Sequence, residues 1–175
     1  METTERVVEA YVRYIRKWAT IPNIKCPEQL EIDLLAIDPL TLDRYHIESG
    51  VSVSVAYSKL TTKPYAESLR KQRGKAAGQR RTIGYFIERK FGHPAVLKKL
   101  KEYGFTKGNY QKIIVSWGWR DEALEVARQQ GIELWDFREL MREIANALRT
   151  KRSYFTDDTM RILHLYSRAE ATRQS

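Results

Sequence analysis

The sequence has little of what stabilises secreted proteins or crosses membranes. Its 175 residues include one cysteine, Cys26, so no disulfide can form within the chain. This favours a reducing, cytoplasmic location. No apolar run approaches the roughly 20 residues that a membrane-spanning helix needs, and residues 1–6 lack the basic-then-apolar order of a signal peptide. We therefore expect neither export nor attachment to a membrane.

Several chemistries also lack their usual sequence signals. The chain has nine glycines, and none forms a phosphate-binding loop or a dinucleotide fingerprint. We therefore expect no nucleotide cofactor. The three histidines, His46, His93 and His164, are scattered and lack the spacing of a zinc site. His46 shares strand parity with a candidate acidic residue described below and could reach the same site, but we expect a bystander role for it.

Positive charge is abundant. Lysine and arginine number 31 against 22 acidic residues, which gives a formal net charge of +9. The hydrophobic fraction of 42% is sufficient for a folded core. A strongly basic chain favours polyanionic partners, and we expect nucleic acid, with DNA first. An ordinary solvated basic surface is the alternative.

The periodicity of apolar residues and the positions of helix and turn signals predict an α/β protein. One domain, residues 1–149, is followed by an amphipathic helix and a frayed tail in residues 150–175. A loop bracketed by Pro22 and Pro27 is predicted after the first helix. The predicted helices cover 4–19, 63–91, 94–103, 121–130, 136–148 and 156–167, and the predicted strands cover 29–38, 44–57, 111–117 and 132–135.

Two acidic residues fall on neighbouring predicted strands. Asp33 lies in the first strand and Glu48 in the second, and a turn at 39–43 joins the two strands into an antiparallel hairpin. In such a hairpin the two carboxylates can share one face. Carboxylate oxygens are the ligands that Mg²⁺ and Mn²⁺ prefer, although each residue by itself also fits an exposed or ion-paired carboxylate. The pair predicts a metal site.

The segment 29–38, followed by residues 45–48, resembles the core of the PD-(D/E)XK, or restriction-endonuclease-like, nuclease superfamily, nearest to its Mrr-like and Holliday-junction-resolvase-like branches. Residues 111–117, 122–127 and 131–137 are similar to the strand, helix and strand that complete that core. The resemblance covers roughly residues 4–148. It implies a mixed central sheet flanked by helices, in the order helix, hairpin, helices, strand, helix, strand, helix, and a Mg²⁺- or Mn²⁺-dependent nuclease activity.

The resemblance also implies roles for individual residues. Asp33 and Glu48 would be catalytic metal ligands, and the backbone carbonyl of Ser49 would add a further ligand. Glu9, on the first helix, matches the position of an extra acidic group in many members, although Glu5, one turn away, is the alternative.

The chain departs from the family pattern at Gly50, where the family places a lysine. A glycine has no side chain to orient water or to stabilise charge at the phosphate. Either a basic residue elsewhere reaches the same point, with Lys59 or the 70–81 segment as candidates, or the protein has lost catalysis and retains DNA binding.

The densest positive segment is residues 70–81, which contains no acidic residue. On a helix, its side chains could line a phosphate backbone and give salt-sensitive binding of low sequence specificity. A solvated helix face is the alternative. The candidate nucleic-acid-binding residues are Arg70, Lys71, Arg73, Lys75, Arg80 and Arg81.

The sequence therefore predicts a Mg²⁺-dependent DNA endonuclease or resolvase-like phosphodiesterase. The alternatives are a catalytically inactive DNA-binding protein of the same fold, and a component of a larger nucleic-acid-processing assembly that docks through the helix at 156–167. A homodimer would suit cleavage of both DNA strands.

Overall fold

The computed structural model describes residues 2–52, 59–62, 82–149, 151 and 154–173. The candidate DNA-binding residues of the 70–81 segment lie outside this part of the chain, as does most of the helix predicted at 63–91.

Helix α1 is Thr3–Ala10 with a π-helical extension, Tyr11–Ile15, and helix α2 is a turn, Ile83–Tyr85, that continues as a π-helix, Phe86–Phe91. The remaining elements are β1 Ala19–Cys26, β2 Leu30–Ile37, β3 Arg44–Ser49, α3 Pro94–Glu102, β4 Gln111–Ser116, α4 Asp121–Gln129, β5 Ile132–Asp136, α5 Phe137–Arg149 and α6 Asp158–Arg173.

The described strands form one mixed sheet in the order β1-β2-β3-β4-β5. The β1–β2 and β2–β3 pairs are antiparallel, whereas the β3–β4 and β4–β5 pairs are parallel. The predicted α/β class, the β2–β3 hairpin and the parallel β4–β5 pair are therefore confirmed. Helix α4 connects β4 to β5, as a parallel pair requires a crossover connection.

The prediction of a loop around Pro22 was wrong, because these residues form strand β1. Pro22 lies opposite Leu34 in the β1–β2 pairing. Proline cannot donate to a sheet ladder and is tolerated on an edge strand, and β1 occupies that position in the described sheet. Asn23, in the left-handed region at φ 57°, also interrupts the strand's regular backbone. The predicted helix 4–19 was too long. The helix ends at Ile15 because Lys17 adopts a left-handed backbone, at φ 62°, and β1 begins at Ala19.

The sheet separates two layers of core. On one face, helices α1, α5 and α6 pack against the alternating side chains Leu34, Ile47 and Val115. On the other face, α2 and α4 pack against Ile114, and α3 packs against Leu35. Asp33 lies two residues before Leu35 on β2 and faces the same side of the sheet. Glu48 on β3 pairs with Ile114 and faces that side as well. The functional side chains described below consequently lie beneath α2.

The carboxy-terminal helix α6 is packed on α5. Met160 is fully buried, and the Ser167 hydroxyl donates a hydrogen bond to the Ala145 carbonyl at 2.8 Å. Ile162, Leu165 and Tyr166 remain exposed on the same helix. Docking of this helix to a partner stays a prediction. Within the part of the chain described here, no helix is both long and apolar enough to cross a bilayer.

Candidate active site

The β2–β3 hairpin brings Asp33 and Glu48 together. The pairing that joins Leu34 to Ile47, continued by one residue, puts Asp33 opposite Glu48, so that both side chains emerge on one face. The Ser49 backbone N–H donates to Asp33 Oδ2 at 2.8 Å, and the Asp33 backbone N–H lies 3.4 Å from Glu48 Oε1. Opposite residues of an antiparallel pair have Cβ atoms about 5 Å apart. The two carboxylates therefore form one site.

The lysine missing from the hairpin is supplied by helix α2. Lys90 Nζ is 2.8 Å from Asp33 Oδ1 and 2.5 Å from Glu48 Oε2, and it also donates to the Glu31 backbone carbonyl at 3.0 Å. Of the sequence candidates, Lys59 is exposed and has no ion pair with either carboxylate, whereas the 70–81 segment lies outside the described residues. Sequence analysis did not identify Lys90.

Close packing of α2 explains why position 50 is glycine. A Cβ atom on Gly50 would lie 2.6 Å from Cζ of Phe86, a distance that real Cβ contacts do not show. Phe86 precedes Lys90 by one helical turn, so the two side chains lie on neighbouring parts of the helix surface. The backbone at Gly50 remains in line with the sheet, with its N–H donating to the Val115 carbonyl at 2.9 Å. The same helix therefore fills the space beside Gly50 and delivers the ammonium.

The three charged groups are almost completely withdrawn from water. The side chains of Glu48, Asp33 and Lys90 are 0%, 4% and 12% exposed. Burial, together with repulsion from Glu48, raises the pKa of Asp33 from 3.8 to about 7, against the attraction of Lys90. Burial also raises the pKa of Glu48. For Lys90, burial lowers the pKa, but attraction by both carboxylates outweighs burial and holds it above its ordinary value.

His46 supports Glu48 from the same strand. Its Nε2 atom is 2.6 Å from Glu48 Oε1, and the imidazole is completely buried. Burial and the nearby Lys90 charge lower the pKa of His46 to about 3, so the ring is neutral. A neutral ring that donates from Nε2 leaves Nδ1 as an acceptor, and Nδ1 has no hydrogen-bond partner among the described residues. His46 thus fixes one oxygen of Glu48 while Lys90 contacts the other.

Of the two acidic candidates on α1, Glu5 is the one that lies near Asp33. Carboxylate oxygens of Glu5, Glu31 and Asp33 lie within 4.8 Å of one another. Burial and repulsion from Asp33 raise the pKa of Glu5. Glu9 instead accepts a long hydrogen bond, 3.4 Å, from the hydroxyl of Thr20.

Glu31 extends the site toward the sheet edge. It forms an ion pair with Lys25 on β1. This pair lowers the pKa of Glu31 against the opposing effect of burial. Glu31 is therefore ionised at neutral pH and adds negative charge beside Asp33. Sequence analysis did not identify it, although it lies two residues before Asp33, on a β strand where alternate residues share a face.

The donor set suits a hard divalent cation. Glu5, Glu31 and Asp33 bring carboxylate oxygens within 4.8 Å of one another, and Glu48 lies next to Asp33 on the hairpin. Carboxylate oxygens are the ligands that Mg²⁺ and Mn²⁺ prefer. Ser49 is positioned by its backbone hydrogen bond to Asp33, and its side-chain hydroxyl is buried without a described partner. Burial raises the pKa of both Asp33 and Glu48, and repulsion from Glu48 adds to the rise at Asp33. A divalent cation bound to the carboxylates would offset that repulsion.

Comparison with other proteins adds no further assignment. No protein-family model, curated protein or solved structure matches this chain. The candidate function therefore depends on the geometry of the site.

Proposed function

We propose that the protein is a Mg²⁺- or Mn²⁺-dependent nuclease acting on DNA, with a restriction-endonuclease-like core. The observation that carries the proposal is the contact of Lys90 with both Asp33 and Glu48. Two carboxylates and one lysine on a hairpin-plus-helix frame are the side chains that the resemblance requires, with the lysine delivered from α2 instead of β3. The order of α1, three antiparallel strands, α2 and a parallel β4 supports the same core.

Each residue has a defined task in this proposal. Asp33 and Glu48 hold the metal, with Glu5 and Glu31 as additional oxygen donors on one side. Bound metal polarises the phosphodiester and lowers the pKa of the attacking water. Lys90 brings a positive charge to the carboxylates, beside the place where a phosphate would bind. His46 holds Glu48 in its orientation through Nε2.

Lys90 accounts for the chain's departure from the family pattern. In the structure its ammonium group lies at the carboxylates, where Gly50 has no side chain to offer. A charged hydrogen-bond donor in a water-excluded site contributes more to stabilising developing charge than it would in bulk solvent. The substitution of glycine at position 50 is therefore compatible with catalysis. DNA is proposed as substrate because the chain carries a net charge of +9.

A cleavage assay with matched variants tests the proposal. Plasmid, single-stranded and branched DNA are incubated with Mg²⁺, Mn²⁺ or EDTA. Asp33→Asn, Glu48→Gln and Lys90→Met should each lower metal-dependent cleavage by about 10²-fold or more, the scale seen when a charge-stabilising group is removed. Glu125→Gln, which neutralises an exposed carboxylate on α4, should cleave like the unmodified protein. Undiminished metal-dependent cleavage by Asp33→Asn and Glu48→Gln would overturn the proposal.

The second candidate is a DNA-binding protein of the same fold without turnover. It is favoured by the burial of the site, where Glu48 is 0% exposed and already neutralised in part by Lys90. This candidate predicts salt-dependent DNA binding, no cleavage with either metal, and no effect of Glu48→Gln on binding.

A further inference from the structure

A cavity of about 790 Å³ lies near the candidate active site. It is bounded by the end of α2, by α3 and by the connection from α3 into β4. Its volume falls within the range of small-molecule pockets. We call it the α3–β4 pocket.

The interior of the α3–β4 pocket is apolar and aromatic. Phe91 and Phe105 are 2% exposed and form its floor, whereas Leu97 is 44% exposed and Tyr110 is half-buried. The Tyr110 ring also contacts the Phe105 ring, with centroids 5.8 Å apart. An accessible aromatic ring supported by a second ring is a surface on which a planar ligand can stack.

The polar groups around this pocket are all cationic or neutral. Lys101, Lys107 and Lys112 line it, and none of its other lining residues among those described is acidic. Within the described part of the chain, none of these three lysines forms an ion pair. Lys112 instead lies 5.9 Å from the centre of the Phe91 ring. The cations are therefore available for an anionic ligand.

The α3–β4 pocket is connected to the candidate active site through His46. The His46 ring is 4.8 Å from the Phe91 ring and 6.2 Å from the Tyr110 ring, centre to centre. On its other side, His46 contacts Glu48 at 2.6 Å. One imidazole thus separates the wall of the pocket from a proposed metal ligand.

We propose that the α3–β4 pocket binds one nucleotide unit of a single-stranded nucleic acid, with the base against Tyr110 and the flanking phosphates at the three lysines. Single strands combine planar bases with repeated phosphates, which match an aromatic surface bordered by several cations. A fatty acid would match the apolar floor but carries a single negative charge. The inference deepens the proposed function and rests on its nucleic-acid part, not on catalysis.

Binding of a fluorescein-labelled oligothymidylate, measured by anisotropy in EDTA, tests the pocket without cleavage. Lys107→Gln/Lys112→Gln should lower affinity about ten-fold and reduce the slope of log K against log salt by about 1.4, since each phosphate contact on a single strand contributes about 0.7. Tyr110→Leu should weaken binding by about ten-fold or more while leaving the salt slope unchanged, because a stacked base contributes about 1–3 kcal/mol. Circular dichroism verifies that each variant is folded.

The matched control is Lys98→Gln, an exposed lysine on α3 outside the pocket. It removes one positive charge where Lys107→Gln/Lys112→Gln removes two, and it should change affinity and salt slope by less than half as much as that variant does. Equal effects of Lys98→Gln and Lys107→Gln/Lys112→Gln, with no effect of Tyr110→Leu, would overturn the pocket assignment. Competition by oleate but not by thymidine monophosphate would also overturn it.

The two proposals fail in distinguishable ways. Loss of affinity in the pocket variants without metal-dependent cleavage by the unmodified protein would support the pocket and refute the nuclease. Cleavage that depends on Asp33, with binding unaffected by the pocket variants, would refute the pocket and support the nuclease.

Discussion

Replacing Lys90 with methionine perturbs both the folding and the chemistry of the site. Methionine retains most of the side-chain length and removes the ammonium, which lies 2.8 Å from Asp33 and 2.5 Å from Glu48. Removing one partner of a buried ion pair costs about 3–5 kcal/mol, because the remaining charge is left uncompensated. For a domain of this size each kcal/mol lowers the midpoint temperature by about 2–4 °C. Lys90→Met should therefore unfold about 6–20 °C lower in EDTA.

This cost should depend on pH. The variant lacks the Lys90 charge that lowers the pKa of both carboxylates, so ionising them costs more, and the deficit should grow as pH rises and shrink on acidification. Mg²⁺ should also restore part of the lost stability, because a ligand that binds only the folded state stabilises it by mass action. Urea unfolding at both pH values, with and without Mg²⁺, measures these effects.

Two further variants identify the cause. Lys99→Met removes a lysine from an exposed ion pair with Glu102, and its unfolding midpoint should change little because exposed pairs contribute little. Adding Glu48→Gln to Lys90→Met removes one of the stranded charges, so the double variant should be more stable than Lys90→Met alone. Equal stability of Lys90→Met and the unmodified protein in EDTA at pH 8 would refute the reasoning.

Two other predictions follow from the same geometry. The pKa of Asp33 is raised from 3.8 to about 7, so the folded protein retains a proton that the unfolded chain releases. In EDTA this contribution, on the order of 4 kcal/mol at most, is present below about pH 4 and is lost as pH rises to about 7. The free energy of unfolding of Asp33→Asn, measured in urea, should lack this pH dependence. If that free energy changed with pH equally in Asp33→Asn and in the unmodified protein, the prediction would be contradicted. Gly50→Ala should destabilise the protein by about 1–3 kcal/mol because its Cβ would meet Phe86 at 2.6 Å. Combining it with Phe86→Leu should recover part of the loss, and no recovery in thermal unfolding would show that the cost arises elsewhere.

Local patterns predicted the elements that carry the proposed metal ligands. Alternation in 29–38 and 44–57, with a turn between, was enough to place Asp33 and Glu48 on one hairpin, although β3 ends earlier, at Ser49. Strand β1 escaped prediction because Pro22 and Asn23 are residues that ordinarily indicate a loop. Its strand conformation depends on pairing with β2.

The role of Lys90 could not be predicted, and the choice between Glu5 and Glu9 stayed open, for a different reason. Their roles depend on how α2 and α1 pack against the sheet, which no local pattern encodes. Gly50 did contain a signal: a residue without a side chain at an expected functional position indicates that another element occupies that space. The sequence alone did not identify which of many lysines replaces it.

Delivery of the ammonium from α2 makes the site's chemistry inseparable from the docking of that helix. Detachment of α2 would withdraw Lys90 and Phe86 together, leaving two adjacent carboxylates with no cation between them. The same opening would expose the sheet face to water. Amide hydrogen exchange along Phe86–Phe91 would therefore report the fraction of molecules that have an assembled site, because the same local unfolding of α2 that exposes these amides also removes Lys90 from the carboxylates.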